Sequence, residues 1–308
     1  MWKTRKDFNR DFFESYRSSK FRFGDKIVPI GAALLRAKPK KSKPPREVST
    51  ALLILDDLVL DAIFWTHSLS IRLLNTRSLR KRPNFRRSVF ALLMKIGQDA
   101  MVVRNLIVDG YDVQARNLLR SIDEHVDALY YLCLRPEVCD EFVLTNDSES
   151  ANKFWWQHIR RARIVIDAEL QRRLKSDLFL EFSQYKQAER RMFSSAHHPS
   201  YVASTVPFLV PYESTSAFDY LFGIPSEYSY RTGRFLFFIL AEMSMMLGFL
   251  DADIKQLIEN RRGGHLQEFV RKGCQHIVRM LLFLSSNEDA PMFSSSKSME
   301  DYMETLPE

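Results

Sequence analysis

Residues that make turns are too scarce in this chain for a sheet protein. Glycine fills 10 of its 308 positions and proline 12. A strand of ordinary length needs a turn at each end, and those turns draw on Gly, Pro, Asn and Asp. The long intervening stretches are rich in Leu, Arg, Glu, Ala and Met, which favour helix. Hydrophobic residues make up 45% of the chain, enough for a sizeable core. The expected fold is all-α: a bundle of about six to seven long helices, with a basic N-terminal arm and a disordered acidic C-terminal tail.

Helix breakers divide the chain. The expected helices lie at 50–75, 84–108, 111–134, 148–175, 176–198, 225–259 and 262–284, with a short one in 136–144. Ser49-Thr50 is expected to cap the first helix and Gly110 to close the second. A short amphipathic piece is expected near Phe8–Tyr16. The segment 199–226 carries Pro199, Pro207, Pro211, Gly223 and Pro225 and reads as a long loop. Residues 1–48 read as arm and Pro/Lys linker, 49–284 as one helical domain, and 285–308 as tail.

Charge is unevenly spread over this plan. Net charge is +7, yet residues 1–48 hold 14 Lys/Arg against 5 Asp/Glu, and residues 285–308 hold 1 against 6. The arm is therefore either a solvated leader or a contact for nucleic acid or acidic lipid. A second basic segment has no acid from 72 to 87; its Arg77, Arg80, Lys81, Arg82, Arg86 and Arg87 are candidate RNA-backbone contacts. The most apolar run, FLFFILAEMSMMLGFL at 235–250, contains Glu242 and is too short to span a bilayer, so it reads as a core helix. Three scattered cysteines point to a reducing compartment, and MWKTRKDFNRDFFESYR has no apolar leader. A cytoplasmic protein without membrane contact is expected.

The helix at 111–134 has the clearest wheel. Leu118, Leu119, Ile122, Val126, Leu129, Tyr130 and Cys133 share one side; Arg116, Arg120, Asp123, Glu124, Asp127 and Tyr131 share the other. The polar side is either solvated or has Arg120 and Glu124 lining a groove against helix 176–198. On that helix Leu178, Phe182, Tyr185, Met192, Phe193 and Ala196 form the apolar side. Glu189 lies among them and needs a partner; Arg120 is the candidate.

The end of the same helix reads RRMFSSAHHPS, 190–200. A seven-residue spacing puts Arg190 beside His197 and Arg191 beside His198 on the helix surface. Histidine can take a proton from a 2′-hydroxyl near neutral pH, and arginine can hold the phosphate. The other reading is two histidines favoured by the C-terminal helix dipole. Trp155-Trp156, near Arg160, Arg161 and Arg163, reads either as a stacking platform for bases or as core with a basic rim. His67, His125, His158, His265 and His276 read as structural. No phosphate-cradling glycine loop, H-E-x-x-H or G-x-S-x-G is present, and adjacent His197 and His198 make a poor chelate. No metal or cofactor is expected.

An all-α chain with an R-x(4–6)-H element near the end of a long helix resembles the HEPN superfamily. Arg190 to His197, Arg191 to His197 and Arg191 to His198 all fit. The polar residue that usually follows the HEPN arginine is present only in the Arg190 register. LLRSIDEHVDALYYL (118–132) and MFSSAHHPS (192–200) also resemble a bacterial helical family with an R-S-x-x-E helix followed by S-S-x-x-H-P. Arg120, Ser121 and Glu124 match the first part; Ser194, Ser195, His198 and Pro199 match the second. The resemblance covers about residues 85–260. It implies a helical bundle, often a homodimer with paired sites, and metal-independent RNA cleavage in a toxin or phage-defence system. Arg191 and His198 would form the core of that site, Arg190 and His197 the alternate pair, and Arg120 and Glu124 the supporting charges. The competing expectation is a non-catalytic interaction module whose Arg120, Glu124 and His198 form a buried network.

Overall fold

A computed structural model describes residues 20–23, 26–29, 46–76, 78–173, 176–197, 225, 227–257, 269–270, 272–277, 279 and 281. The piece expected near Phe8–Tyr16, the tail 285–308, Arg77, His198 and, apart from Pro225, the segment 199–226 lie outside them. The chain divides into two units, residues 1–43 with 211–224 and residues 44–210 with 225–308. The described part of the first is a hairpin of β1 (Lys20–Phe23) and β2 (Lys26–Pro29), antiparallel, with Lys20 opposite Pro29 and Phe23 opposite Lys26.

The second unit is all-α. Its helices are α1 (Arg46–Asn75), α2 (Pro83–Val108), α3 (Asp112–Leu134), α4 (Ser148–Phe154), α5 (Ala162–Arg173), α6 (Ser176–His197) and α7 (Glu227–Leu257). Short turns of helix at Ser78–Lys81, Pro136–Val138 and Cys139–Phe142 fill the connections. Residues 272–277 are also helical. No helix among the described residues is long and apolar enough to cross a membrane.

The run read as a core helix is the centre of the unit. Every residue from Phe235 to Leu247 in α7 is buried, and α7 touches α1, α2 and α3. A helix apolar all round has nowhere else to go. The α2–α3 corner forms as the sequence predicts. Gly110 takes φ 79° and donates to the Ile107 carbonyl at 3.0 Å, while Tyr111 N–H reaches back to Leu106 at 2.7 Å. This double closure ends α2 and needs a residue with no Cβ at the left-handed position.

Two boundaries differ from the expectation. α1 starts at Arg46, so Ser49 and Thr50 lie within its first turn rather than capping it. Proline blocks a helix only toward its own N-terminal side; after Pro44-Pro45 nothing delays the start. The helix expected over 148–175 is divided into α4, a π-turn at Trp155–Ile159 and α5. The Asp147 carboxylate caps α4 by accepting from Ser150 N–H at 2.8 Å, and Arg160 N–H donates to the Trp155 carbonyl at 2.9 Å across the widened turn. Inward-facing Phe154, Ala162, Ile166 and Leu170 are all buried at spacings of eight, four and four. Steps of four overrun a 3.6-residue turn, and the wider turn takes up the excess.

Candidate functional site

On α6, Phe182, Tyr185, Lys186, Glu189 and Arg190 follow at i, i+3, i+4, i+7 and i+8, so one face carries two aromatic rings and three charges into the bundle. Lys186 and Glu189 are fully buried. On α3, Asp123 and Asp127 stand one turn apart on the face that meets α6, and both are buried, as is Arg116. The polar side of α3 is therefore divided: Arg120 and Glu124 stay exposed, while Arg116, Asp123 and Asp127 are buried. α6 and α7 cover the buried part and bring the counter-charges that make its burial tolerable.

Lys186 sits among three carboxylates. Its Nζ lies 2.5 Å from Glu242 Oε2, 2.9 Å from Asp123 Oδ1 and 3.6 Å from Asp127 Oδ1. Arg190 bridges the two aspartates, with Nε 2.5 Å from Asp123 Oδ2 and Nη2 2.8 Å from Asp127 Oδ2. Arg163 of α5 meets Asp127 at 3.2 Å, Glu242 at 3.4 Å and Asp167 at 2.6 Å. Four helices thus meet in one network. The Tyr130 hydroxyl lies fully buried close by. Burial, and then the charges of Glu242 and Asp127, push its pKa up and keep it protonated.

These fields set protonation. Burial raises the Asp127 carboxyl, but Lys186, Arg163 and Arg190 outweigh it and lower the group from 3.8 to about 2. Burial lowers Arg163 and Arg190, yet the facing carboxylates prevail and raise both, so both stay charged. Because the folded Asp127 pKa lies below the unfolded one, its stabilisation is complete above about pH 4 and is lost as pH falls toward 2. The shift corresponds to about 2 kcal/mol. A series of urea unfolding midpoints between pH 7 and pH 2 is expected to show this loss, and Asp127→Asn to flatten that limb. An Asp127→Asn protein with the wild-type acid limb would remove Asp127 from the account.

The network forms one wall of a cavity of about 290 Å³. α3 supplies Arg120, Asp123, Glu124 and Asp127; the π-turn supplies Trp155 and Ile159; Arg160, Arg163 and Arg190 complete the lining. Arg120 and Glu124 pair with each other at 3.1 Å, half-exposed. Trp155 and Trp156 are 38% and 52% exposed, so they are surface rather than core. Their rings meet edge-on at 5.4 Å, and Arg160 lies over the Trp156 ring at 4.3 Å. Behind this turn His158 is held by Glu141 at 3.0 Å and packs on Phe154, a structural role.

The structure brings Arg120, Glu124 and Arg190 to one cavity. Arg191 is exposed and does not line it. His197 closes α6, and its side chain lies outside the described residues, as does all of His198. The partner of Glu189 is Arg231 of α7, at 2.7 Å, and not Arg120. Arg120 is too far round the helix, already paired with Glu124. Arg80, Lys81, Arg82 and Arg87 are exposed, and Arg86 is half-buried, donating to the Leu74 carbonyl near the end of α1. None of these lines the cavity. Among the described residues the buried network contains Asp123, Asp127, Arg163, Lys186, Arg190 and Glu242; Arg120 and Glu124 pair outside it, half-exposed, and His198 lies outside the described residues.

The cysteines play no part in the site. Cys133, Cys139 and Cys274 are free and buried, and burial raises the Cys139 thiol to about 11. Among the described residues no group of His, Cys, Asp and Glu is arranged to hold a metal ion. Fold and site thus define an all-α bundle with a charged cavity above a buried ion network. No family model matches the chain, and no curated protein or solved structure matches it.

Proposed function

We propose that this cavity is the site of a metal-independent RNA-cleaving effector, of the kind the HEPN resemblance implies in bacterial toxin or phage-defence systems. One observation carries the reading. Arg190 lines a solvent-reaching cavity and precedes His197 by seven residues on the same helix. Its Nε and Nη2 hold Asp123 and Asp127, which fixes the guanidinium and, among the described residues, leaves Nη1 for a phosphate oxygen. This favours the Arg190–His197 pair over Arg191–His198. In the reaction His197 takes the 2′-hydroxyl proton, the 2′-oxygen bonds to the adjacent phosphorus, and the bond to the 5′-oxygen breaks. The products are a 2′,3′-cyclic phosphate and a 5′-hydroxyl, the leaving oxygen receiving its proton from the histidinium. Exposed Arg80, Lys81, Arg82 and Arg87 add salt-sensitive contacts with the RNA backbone.

Transfer RNA incubated with the purified protein in EDTA is expected to be cut, and His197→Ala to lose about 100-fold in rate at an unchanged melting temperature. His198→Ala identifies the register: if it alone loses activity, the alternate pair is the site. The second reading is a non-catalytic interaction module. It is favoured by Arg190 already sharing two carboxylates, as a structural arginine does. Absence of cutting at any concentration of protein, with native circular dichroism, would select it.

A further inference from the structure

We infer that the cavity is a subsite for one unpaired nucleotide of single-stranded RNA, its base against Trp155 and its phosphate between Arg120 and Arg160. The inference rests on the reading of this cavity as an RNA site, but not on cleavage. It begins with which polar atoms are already engaged. Asp123 has Lys186 on one oxygen and Arg190 on the other. Asp127 has Arg163 on one and Arg190 on the other. Glu124 is paired with Arg120. Each acidic side chain of the lining therefore has at least one cationic partner within the protein.

The donors are not all answered. Among the described residues Arg120 uses only Nε, for Glu124, leaving its two terminal nitrogens. Arg160 has no carboxylate partner among the described residues, and its contact is the face of Trp156. Arg190 retains Nη1. Three guanidinium groups with unused N–H groups around one space call for an anion with several acceptor oxygens, which is a phosphate. The remaining wall is aromatic and apolar, from Trp155 and Ile159. Trp156 meets Trp155 edge-on, at 87°, which holds the Trp155 ring in one plane beside the arginines. A planar apolar surface next to a phosphate-binding cluster is the pattern that takes an unpaired base. A space of about 290 Å³ suits one small ligand. A base-paired duplex hides the faces of its bases from such a wall.

The test is binding of a fluorescein-labelled 2′-O-methyl RNA single strand in EDTA. This strand lacks the attacking hydroxyl, so binding is measured whether or not the protein cleaves. The wild-type chain is expected to bind the strand at least tenfold better than a duplex of the same sequence. Trp155→Ala is expected to weaken strand binding about tenfold, with Trp155→Phe retaining most of it. Arg160→Ala is expected to lower the slope of log affinity against log salt by about one. Wild-type affinity in both alanine variants, or equal binding of strand and duplex, would overturn the inference. Equal affinity for adenosine 5′-monophosphate would also overturn it, since the ligand would then be a free nucleotide. If RNA is never cut but this pattern holds, the nuclease reading fails and the subsite stands. If RNA is cut and Trp155→Ala binds normally, the subsite alone fails.

Discussion

Lys186→Met is expected to destabilise the protein by about 3–5 kcal/mol, read as a fall in the urea midpoint at neutral pH. Methionine matches the length of the lysine stem, so packing changes little and the charge is what is lost. Asp123, Asp127 and Glu242 would then share only Arg163 and Arg190. Glu242 is the most affected, because it is fully buried and its short contact is to Lys186. Adding Glu242→Gln to Lys186→Met removes one negative charge to match the lost positive one. The double variant is expected to recover more than half of the deficit, since a buried ion pair replaced as a unit costs far less than one broken by half. A single variant within 1 kcal/mol of wild type would show that the network is not closed on itself.

The second large effect lies outside the ion network, at Trp65 of α1. Residues 272–277 pack on α1, where Trp65 is buried and stacks on Phe269 at 6.4 Å, and Arg72 lies over the same ring at 4.2 Å. Gly273 sits against the indole. A Cβ there would fall 1.7 Å from Trp65 Nε1 and 2.3 Å from Cδ1. The indole is rigid and enclosed, so either α1 or the C-terminal helix must shift. Gly273→Ala is expected to cost about 3 kcal/mol and to shift tryptophan fluorescence toward the red as Trp65 becomes wet. Trp65→Phe in the same chain shortens the ring and is expected to restore much of the loss. Unchanged stability and emission in Gly273→Ala would mean that the helix does not dock on Trp65 as described.

The fold was legible because it depends on one-dimensional signals. Apolar periodicity located α2, α3, α6 and α7 to within about two residues, the usual scatter of helix ends. Gly110 and the prolines punctuated them. The site was only half legible, because it depends on which helices meet. Asp123 and Asp127 share a stripe with Arg116 and Arg120, and a stripe of charges looks the same whether water or another helix covers it. Lys186 is hidden by its surroundings, yet a signal was present. It shares the face of Phe182 and Tyr185 with Glu189 and Arg190, and three charges on an apolar face require partners. Glu242, the lone carboxylate in the most apolar run, was the other half of that signal. Arg163 could not be placed, because the π-turn that aims it has no clear mark in WWQHI.

That π-turn has a consequence for how the cavity tolerates change in chain length. A turn of this width carries one residue more than an α-turn uses. The wider turn absorbs that residue, so deleting one residue between Trp155 and Ile159 would let the segment close into ordinary helix with α5 still in phase and Arg163 still facing Asp127 and Glu242. Closing the turn with all five residues kept would instead rotate everything after it by about 100° and take Arg163 away from both carboxylates. The surplus residue is thus held within the turn and not passed on to the charged wall, which makes this the place where the chain can lose one position and keep its ion network.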